Sequence, residues 1–141
     1  TVACAESCTG GMLASRLTSI SGSSMYIKGS IVTYSNEAKM KFLDVDKEIL
    51  DTKGAVSPEV AKQMAEGVRK AVGSDIGVGI TGIAGPTGGT DKKPVGLVYI
   101  AVAGKDNTVV KENIFSGDRA RVRYRSTQQA LEMIRQYIKN K

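Results

Sequence analysis

The stretch SPEVAKQMAEGVRKAVGSDIGVGITG, residues 57–82, decides the fold. Ser57 is placed to cap a helix, Pro58 takes its first position and Glu59 its first turn, and Val60, Met64, Val68 and Val72 then step by four up to Gly73. Directly afterwards Ile76, Val78 and Ile80 alternate with Asp75, Gly77 and Gly79, the period of a strand. A helix that runs straight into a strand, with a glycine-rich loop from Thr81 to Thr90 at the strand's C-terminal end, predicts an α/β architecture carrying a ligand loop.

The flanking segments extend this pattern. Toward the N-terminus, Val2–Ala5 reads as a buried strand, and Thr9 is placed to cap a helix from Gly10 to about Ile20 with Met12, Leu13 and Leu17 inside. Lys28–Tyr34 reads as a second strand after the turn-prone Ser21–Ser24. Ser35-Asn36 then offers an N-cap for a helix over Glu37–Phe42, and a short helix covers Lys47–Asp51. Toward the C-terminus, the nearly continuous apolar run Val95–Ala103 predicts an interior strand covered on both faces. Gly104–Asn107 supplies a tight turn into Thr108–Phe115, and Asp118 can cap a last helix to about Lys139 with Leu131, Ile134 and Ile138 inside. The expectation is a three-layer α/β/α sandwich with a mixed β-sheet, one domain over residues 1–141.

Composition narrows the chemistry. The 141 residues are 41% hydrophobic and 24% charged, which suits a soluble globule, and no apolar run approaches the roughly 20 residues of a membrane span. There is no histidine and there are only two cysteines, Cys4 and Cys8, so the expectation is reduced thiols in a cytoplasmic setting and no metal site. The net charge of +6 would suit nucleic acid, but Lys and Arg are scattered and aromatics make up 5% of the chain. An anionic small molecule is therefore the expected partner, with no nucleic acid and no membrane. The abrupt apolar start at Thr1 reads as a trimmed N-terminus.

Two segments carry candidate chemistry: Ala5-Glu6-Ser7-Cys8-Thr9-Gly10-Gly11 at a strand-to-helix turn, and the loop opening Thr81-Gly82-Ile83-Ala84-Gly85-Pro86. Ser7 stands where unsatisfied N–H groups near Thr9, Gly10 and Gly11 can hold an oxyanion or a phosphate. A Ser-His-acid triad is impossible here, which leaves lysine, tyrosine or a carboxylate as proton acceptor. Lys39, in the first turn of its helix, is the first suspect, with Tyr34 to relay or orient. A second capping hydroxyl at Ser7 and a solvated Lys39 are the plain alternatives. Thr81 is the loop residue expected to touch ligand, with Gly82, Ala84 and Gly85 in the cradle. Arg119, Arg121, Arg123 and Arg125 form a basic helix start, of which two can grip a phosphate. Cys8 is a rival nucleophile without an obvious base, and Glu6 can orient Lys39 or make an ordinary structural hydrogen bond.

Those segments, together with Val32-Thr33-Tyr34-Ser35-Asn36-Glu37-Ala38-Lys39, Gly54-Ala55-Val56-Ser57, Lys93-Pro94-Val95-Gly96 and Phe115-Ser116-Gly117-Asp118-Arg119, resemble the CinA C-terminal domain family. These are the competence and damage-inducible proteins, whose domain is also found alone as nicotinamide mononucleotide amidohydrolase. The resemblance runs through nearly the whole chain in order. It implies an anticodon-binding-domain-like α/β/α fold and hydrolysis of the carboxamide of nicotinamide mononucleotide to nicotinic acid mononucleotide and ammonia, a pyridine-nucleotide salvage step that needs no cofactor. It also implies Ser7 as nucleophile, Lys39 as its proton-transfer partner, Tyr34 in the same assembly and Arg119 in the substrate site. A homo-oligomer is the expected state, and the helix that the family places before its first strand is expected to be missing ahead of Thr1. The metal-dependent pyrophosphatase of the family's larger members belongs to a different domain and is not expected here. Two other classes stay open: a catalytically silent nucleotide- or partner-binding module, and nucleic-acid binding through Arg119–Arg125.

Overall fold

A computed structural model describes residues 1–141. Five strands, β1 (Val2–Glu6), β2 (Ile27–Val32), β3 (Ile76–Gly82), β4 (Leu97–Ala103) and β5 (Thr108–Ile114), form one sheet in the order β2-β1-β3-β4-β5. The first three are parallel, and β4 and β5 are antiparallel to their neighbours, so the sheet is mixed. Five helices cover it: α1 (Met12–Thr18), α2 (Asn36–Leu43), α3 (Lys47–Lys53), α4 (Pro58–Val72) and α5 (Arg119–Lys139). Core contacts sort them into α1 and α5 on one face and α2, α3 and α4 on the other, giving three layers.

Side-chain size assigns the faces. Val2, Cys4, Ile76, Val78, Ile80, Val98, Ile100 and Val102 point to the α1/α5 side, where they meet Leu13, Val122, Ala130, Met133, Ile134 and Tyr137. Alternate positions on the other face are small: Ala3, Ala5, Gly77, Gly79, Ala101 and Ala103. That lets α4 settle almost onto the sheet through Ala61 and Ala65. The Asp75-Gly77-Gly79 alternation seen in the sequence is thus the footprint of a helix: a Cβ on Gly77 would come within 2.0 Å of the Ala65 carbonyl oxygen.

The caps at Ser35, Ser57 and Asp118 form as expected, each accepting from an N–H three residues on. The first helix differs. It begins at Met12 and ends at Thr18, not Gly10 to Ile20, and the Thr9 hydroxyl caps nothing. Glu6 does the work instead: its fully buried carboxylate accepts from the N–H groups of Leu13 at 2.8 Å and Ala14 at 3.1 Å. Glu6→Ala would leave two helix-start donors without acceptors. The expected cost is about 3 kcal/mol of stability, read as a lower urea midpoint with unchanged slope.

Smaller corrections follow from packing. Ile138 is exposed and Tyr137 takes the inner place, its hydroxyl donating to the Asn107 side-chain oxygen at 2.6 Å. Tyr34 lies beyond the end of β2, and Val95 precedes β4. No helix is long and apolar enough to cross a membrane.

Candidate active site

The chain leaves β1 for β2 by way of α1 on one face, and leaves β2 for β3 by way of α2–α4 on the other. The carboxyl ends of β1 and β3 therefore border the point where the winding reverses, a crevice that open α/β sheets use for ligands. Ser7 follows β1 at that point. Its N–H donates to the Ile80 carbonyl at 3.0 Å, extending the β1–β3 pairing, and its own carbonyl accepts from Gly10 N–H at 3.0 Å to start the turn. A cavity of about 300 Å³ opens here, lined by Ser7, Cys8, Tyr34, Asn36, Lys39, Ala55, Val56, Arg119 and residues of the loop from Thr81 to Gly88.

Lys39 reaches into it from α2, and only 1% of its surface is exposed. Its Nζ donates to the Thr33 carbonyl at 2.8 Å and lies 3.1 Å from Ser7 Oγ. Burial pushes its pKa below the ordinary lysine value, because an ammonium loses hydration there and gains no carboxylate partner. A neutral amine fits the geometry: one N–H on Thr33, the lone pair toward the Ser7 O–H. The fold thus sets aside the reading of Lys39 as a solvated surface lysine.

The lowered pKa also predicts a stability signature. Between its folded value and the ordinary lysine value, the unfolded chain binds a proton that the folded chain does not, so this residue makes stability rise with pH. Measured by thermal unfolding from neutral to alkaline pH, wild type is expected to gain on Lys39→Met as pH increases.

Cys8, although it lines the cavity, has its thiol pushed up to about 11, chiefly by burial. It is protonated at neutral pH and does not compete as a thiolate. Thr81 is buried at the end of β3 and donates to the Ala55 carbonyl at 2.7 Å, which fixes the Ala55–Val56 wall. Arg119, at the start of α5, ties the rim together: Nη1 donates to the Gly85 carbonyl at 2.8 Å and Nη2 to the Tyr34 hydroxyl at 3.1 Å. Tyr34 therefore meets Arg119, not Ser7 or Lys39.

The structure gathers Ser7, Lys39, Tyr34, Thr81, Gly82, Ala84, Gly85 and Arg119 around one cavity, whereas the side chain of Thr9 and the residues Gly10 and Gly11 do not line it. The arginines of α5 do not act together. Arg123 donates to the carbonyls of Cys8 and Thr9, and Arg125 to Ser116, which leaves Arg119 alone at the cavity. Asn36, read from sequence only as part of a cap, is a wall residue; its spacing of three from Lys39 on one helix was the available signal.

Comparison with known proteins identifies the family and the fold. The model of the CinA C-terminal domain matches residues 1–138. A CinA-like protein of Syntrophomonas wolfei is 53% identical over 139 residues, covering 99% of this chain and 33% of that protein. A CinA-like protein of Koribacter versatilis is 57% identical over 138 residues, covering 98% and 33%. The chain thus spans about a third of the length of these relatives. Among solved structures, competence/damage inducible protein CihA from Agrobacterium tumefaciens superposes with a TM-score of 0.93 at 43% identity, covering 95% of this chain and 82% of that one. A CinA superfamily protein from Escherichia coli gives 0.93 at 36% identity, covering 96% and 79%. With the motif segments, the three-layer fold and these relatives in agreement, the chain belongs to the CinA C-terminal domain family.

Proposed function

We propose that the chain hydrolyses the carboxamide of nicotinamide mononucleotide to nicotinic acid mononucleotide and ammonia, with Ser7 as nucleophile and Lys39 as base. The observation that carries this reading is the 3.1 Å approach of a buried, pKa-lowered Lys39 Nζ to Ser7 Oγ inside a cavity. A hydroxyl paired with a neutral amine is the nucleophile–base unit that a chain without histidine can build.

In this reaction Ser7 Oγ bonds to the carboxamide carbon while its proton passes to Lys39, and backbone N–H groups of the Ser7 turn hold the oxyanion. The resulting ammonium returns the proton to the amide nitrogen as the C–N bond breaks, releasing ammonia and leaving an ester on Ser7. Water, deprotonated by Lys39, attacks that ester. The C–O bond to Ser7 breaks, Ser7 regains its proton and the acid leaves. Arg119 keeps three of its five N–H donors after bonding Gly85 and Tyr34, and these suit the mononucleotide phosphate.

The test is ammonia release from nicotinamide mononucleotide by wild type, Ser7→Ala and Lys39→Ala side by side. Because the working form of Lys39 is the free amine, kcat/KM should rise with pH and level off below the usual lysine value. Tight mononucleotide binding without ammonia would replace this reading with a silent binding module.

A further inference from the structure

Arg123 lies outside the cavity, yet it makes two well-formed hydrogen bonds to the turn that carries Ser7. Its Nε donates to the Cys8 carbonyl at 3.1 Å and its Nη2 to the Thr9 carbonyl at 3.0 Å. These are the first two carbonyls after Ser7, and a planar guanidinium holds such a pair in one fixed orientation. Gly10 makes the seat possible. It stands at φ +58°, and a Cβ there would lie 3.2 Å from Nη2.

The consequence concerns the peptide unit between Cys8 and Thr9. In a trans peptide the carbonyl and the N–H point in opposite directions. Holding the Cys8 carbonyl toward α5 therefore turns the Thr9 N–H away from α5. Thr9 is fully buried, and its N–H donates to no group in the chain; its hydroxyl is without a partner too. The Cys8 N–H, on the cavity wall, is open as well, whereas the Gly10 and Met12 N–H groups are occupied by the carbonyls of Ser7 and Thr9. Two backbone donors of buried residues left open, one and two positions after a serine that touches a buried amine, are an exception to the rule that such groups are paired.

We propose that Arg123 is a positioning residue: it fixes the Cys8–Thr9 peptide so that the open N–H groups of Cys8, on the cavity wall, and of Thr9, next to it, receive the negative charge that develops when Ser7 attacks a ligand. The inference rests on the reading of Ser7 as nucleophile but not on the identity of the amide. Its guanidinium also withdraws charge through the Cys8 carbonyl, which strengthens the Thr9 N–H as a donor.

The test uses two readouts on the purified chain. The first is ammonia release from nicotinamide mononucleotide. The second is labelling of Ser7 by a fluorophosphonate, followed by mass: Ser7 Oγ bonds to phosphorus, the P–F bond breaks, fluoride leaves, and the proton goes to Lys39. Arg123→Met is expected to lower both kcat and the labelling rate by about 100-fold, the size of losing one oxyanion donor, with KM and the pH midpoint of kcat/KM unmoved. Arg123→Lys keeps the charge and a single donor and should fall between the two. A folded Arg123→Met with wild-type kcat and labelling, or with only KM raised, overturns the proposal. Should Arg123→Met fail to fold, wild-type rates in a folded Arg123→Lys overturn it equally. If wild type releases no ammonia but its labelling depends on Arg123 as stated, the substrate assignment falls and this inference stands. If Ser7 of wild type is not labelled at all, the inference falls.

Discussion

Ser7→Ala is expected to lower kcat for ammonia release by about 10⁶-fold, the scale seen when a serine hydrolase loses its nucleophile outright. Binding of nicotinamide mononucleotide, measured by calorimetry, should change little, because the alanine removes one oxygen from a cavity whose walls also come from four other segments. Lys39→Ala is expected to fall nearly as far. Adding it to Ser7→Ala should cost almost nothing more, because in the proposed reaction the two groups, 3.1 Å apart, act as one proton-transfer unit. Additive losses, or a Ser7→Ala protein that still turns over, would remove Ser7 from the chemistry. Lys39→Ala also leaves the Thr33 carbonyl without its donor, so its unfolding curve must accompany its kinetics.

The largest structural effect is expected at Gly79. A Cβ there would stand 2.4 Å from the Ala61 carbonyl oxygen and 2.7 Å from the Ala65 nitrogen, both backbone atoms of α4. A side chain could swing aside, but a helix backbone moves only as a unit. Gly79→Ala should therefore exceed the usual 1–3 kcal/mol of overpacking and cost about 4 kcal/mol, a drop in Tm of about 12 °C. The β1–β3 crevice carries Ser7, so activity at a fixed temperature should fall with the folded fraction. A Gly79→Ala protein as stable as wild type would mean that α4 does not sit this close.

Much of this architecture was legible because its signals are local. The step of four from Val60 to Val72, the caps at Ser57 and Asp118 and the apolar run into Ala103 each declare an element within a few residues. The gathering of Ser7, Lys39, Thr81 and Arg119 could be anticipated because each stands at the end of a strand or the start of a helix in an α/β pattern. What escaped depends on long-range geometry. Thr9 looked like the cap of α1, yet Glu6, pointing back across the turn, reaches two N–H groups that a threonine at that spot cannot. Arg123 looked like one of four exchangeable cations, and only the packing of α5 against the turn after β1 shows it grasping two carbonyls 114 and 115 positions away. The glycines of β3 read as strand spacing because their function, close approach to α4, involves a neighbour on another layer.

The order of synthesis gives the α5 clasp a further meaning. Every strand lies within the first 114 residues, but Arg119 and Arg123 come from the helix that follows them. A nascent polypeptide that has emerged only as far as β5 holds all five strands but lacks the guanidinium brace on the segment after β1. A product that stops before α5 would therefore lack both the apolar cover of one sheet face and the clasp on the segment that carries Ser7.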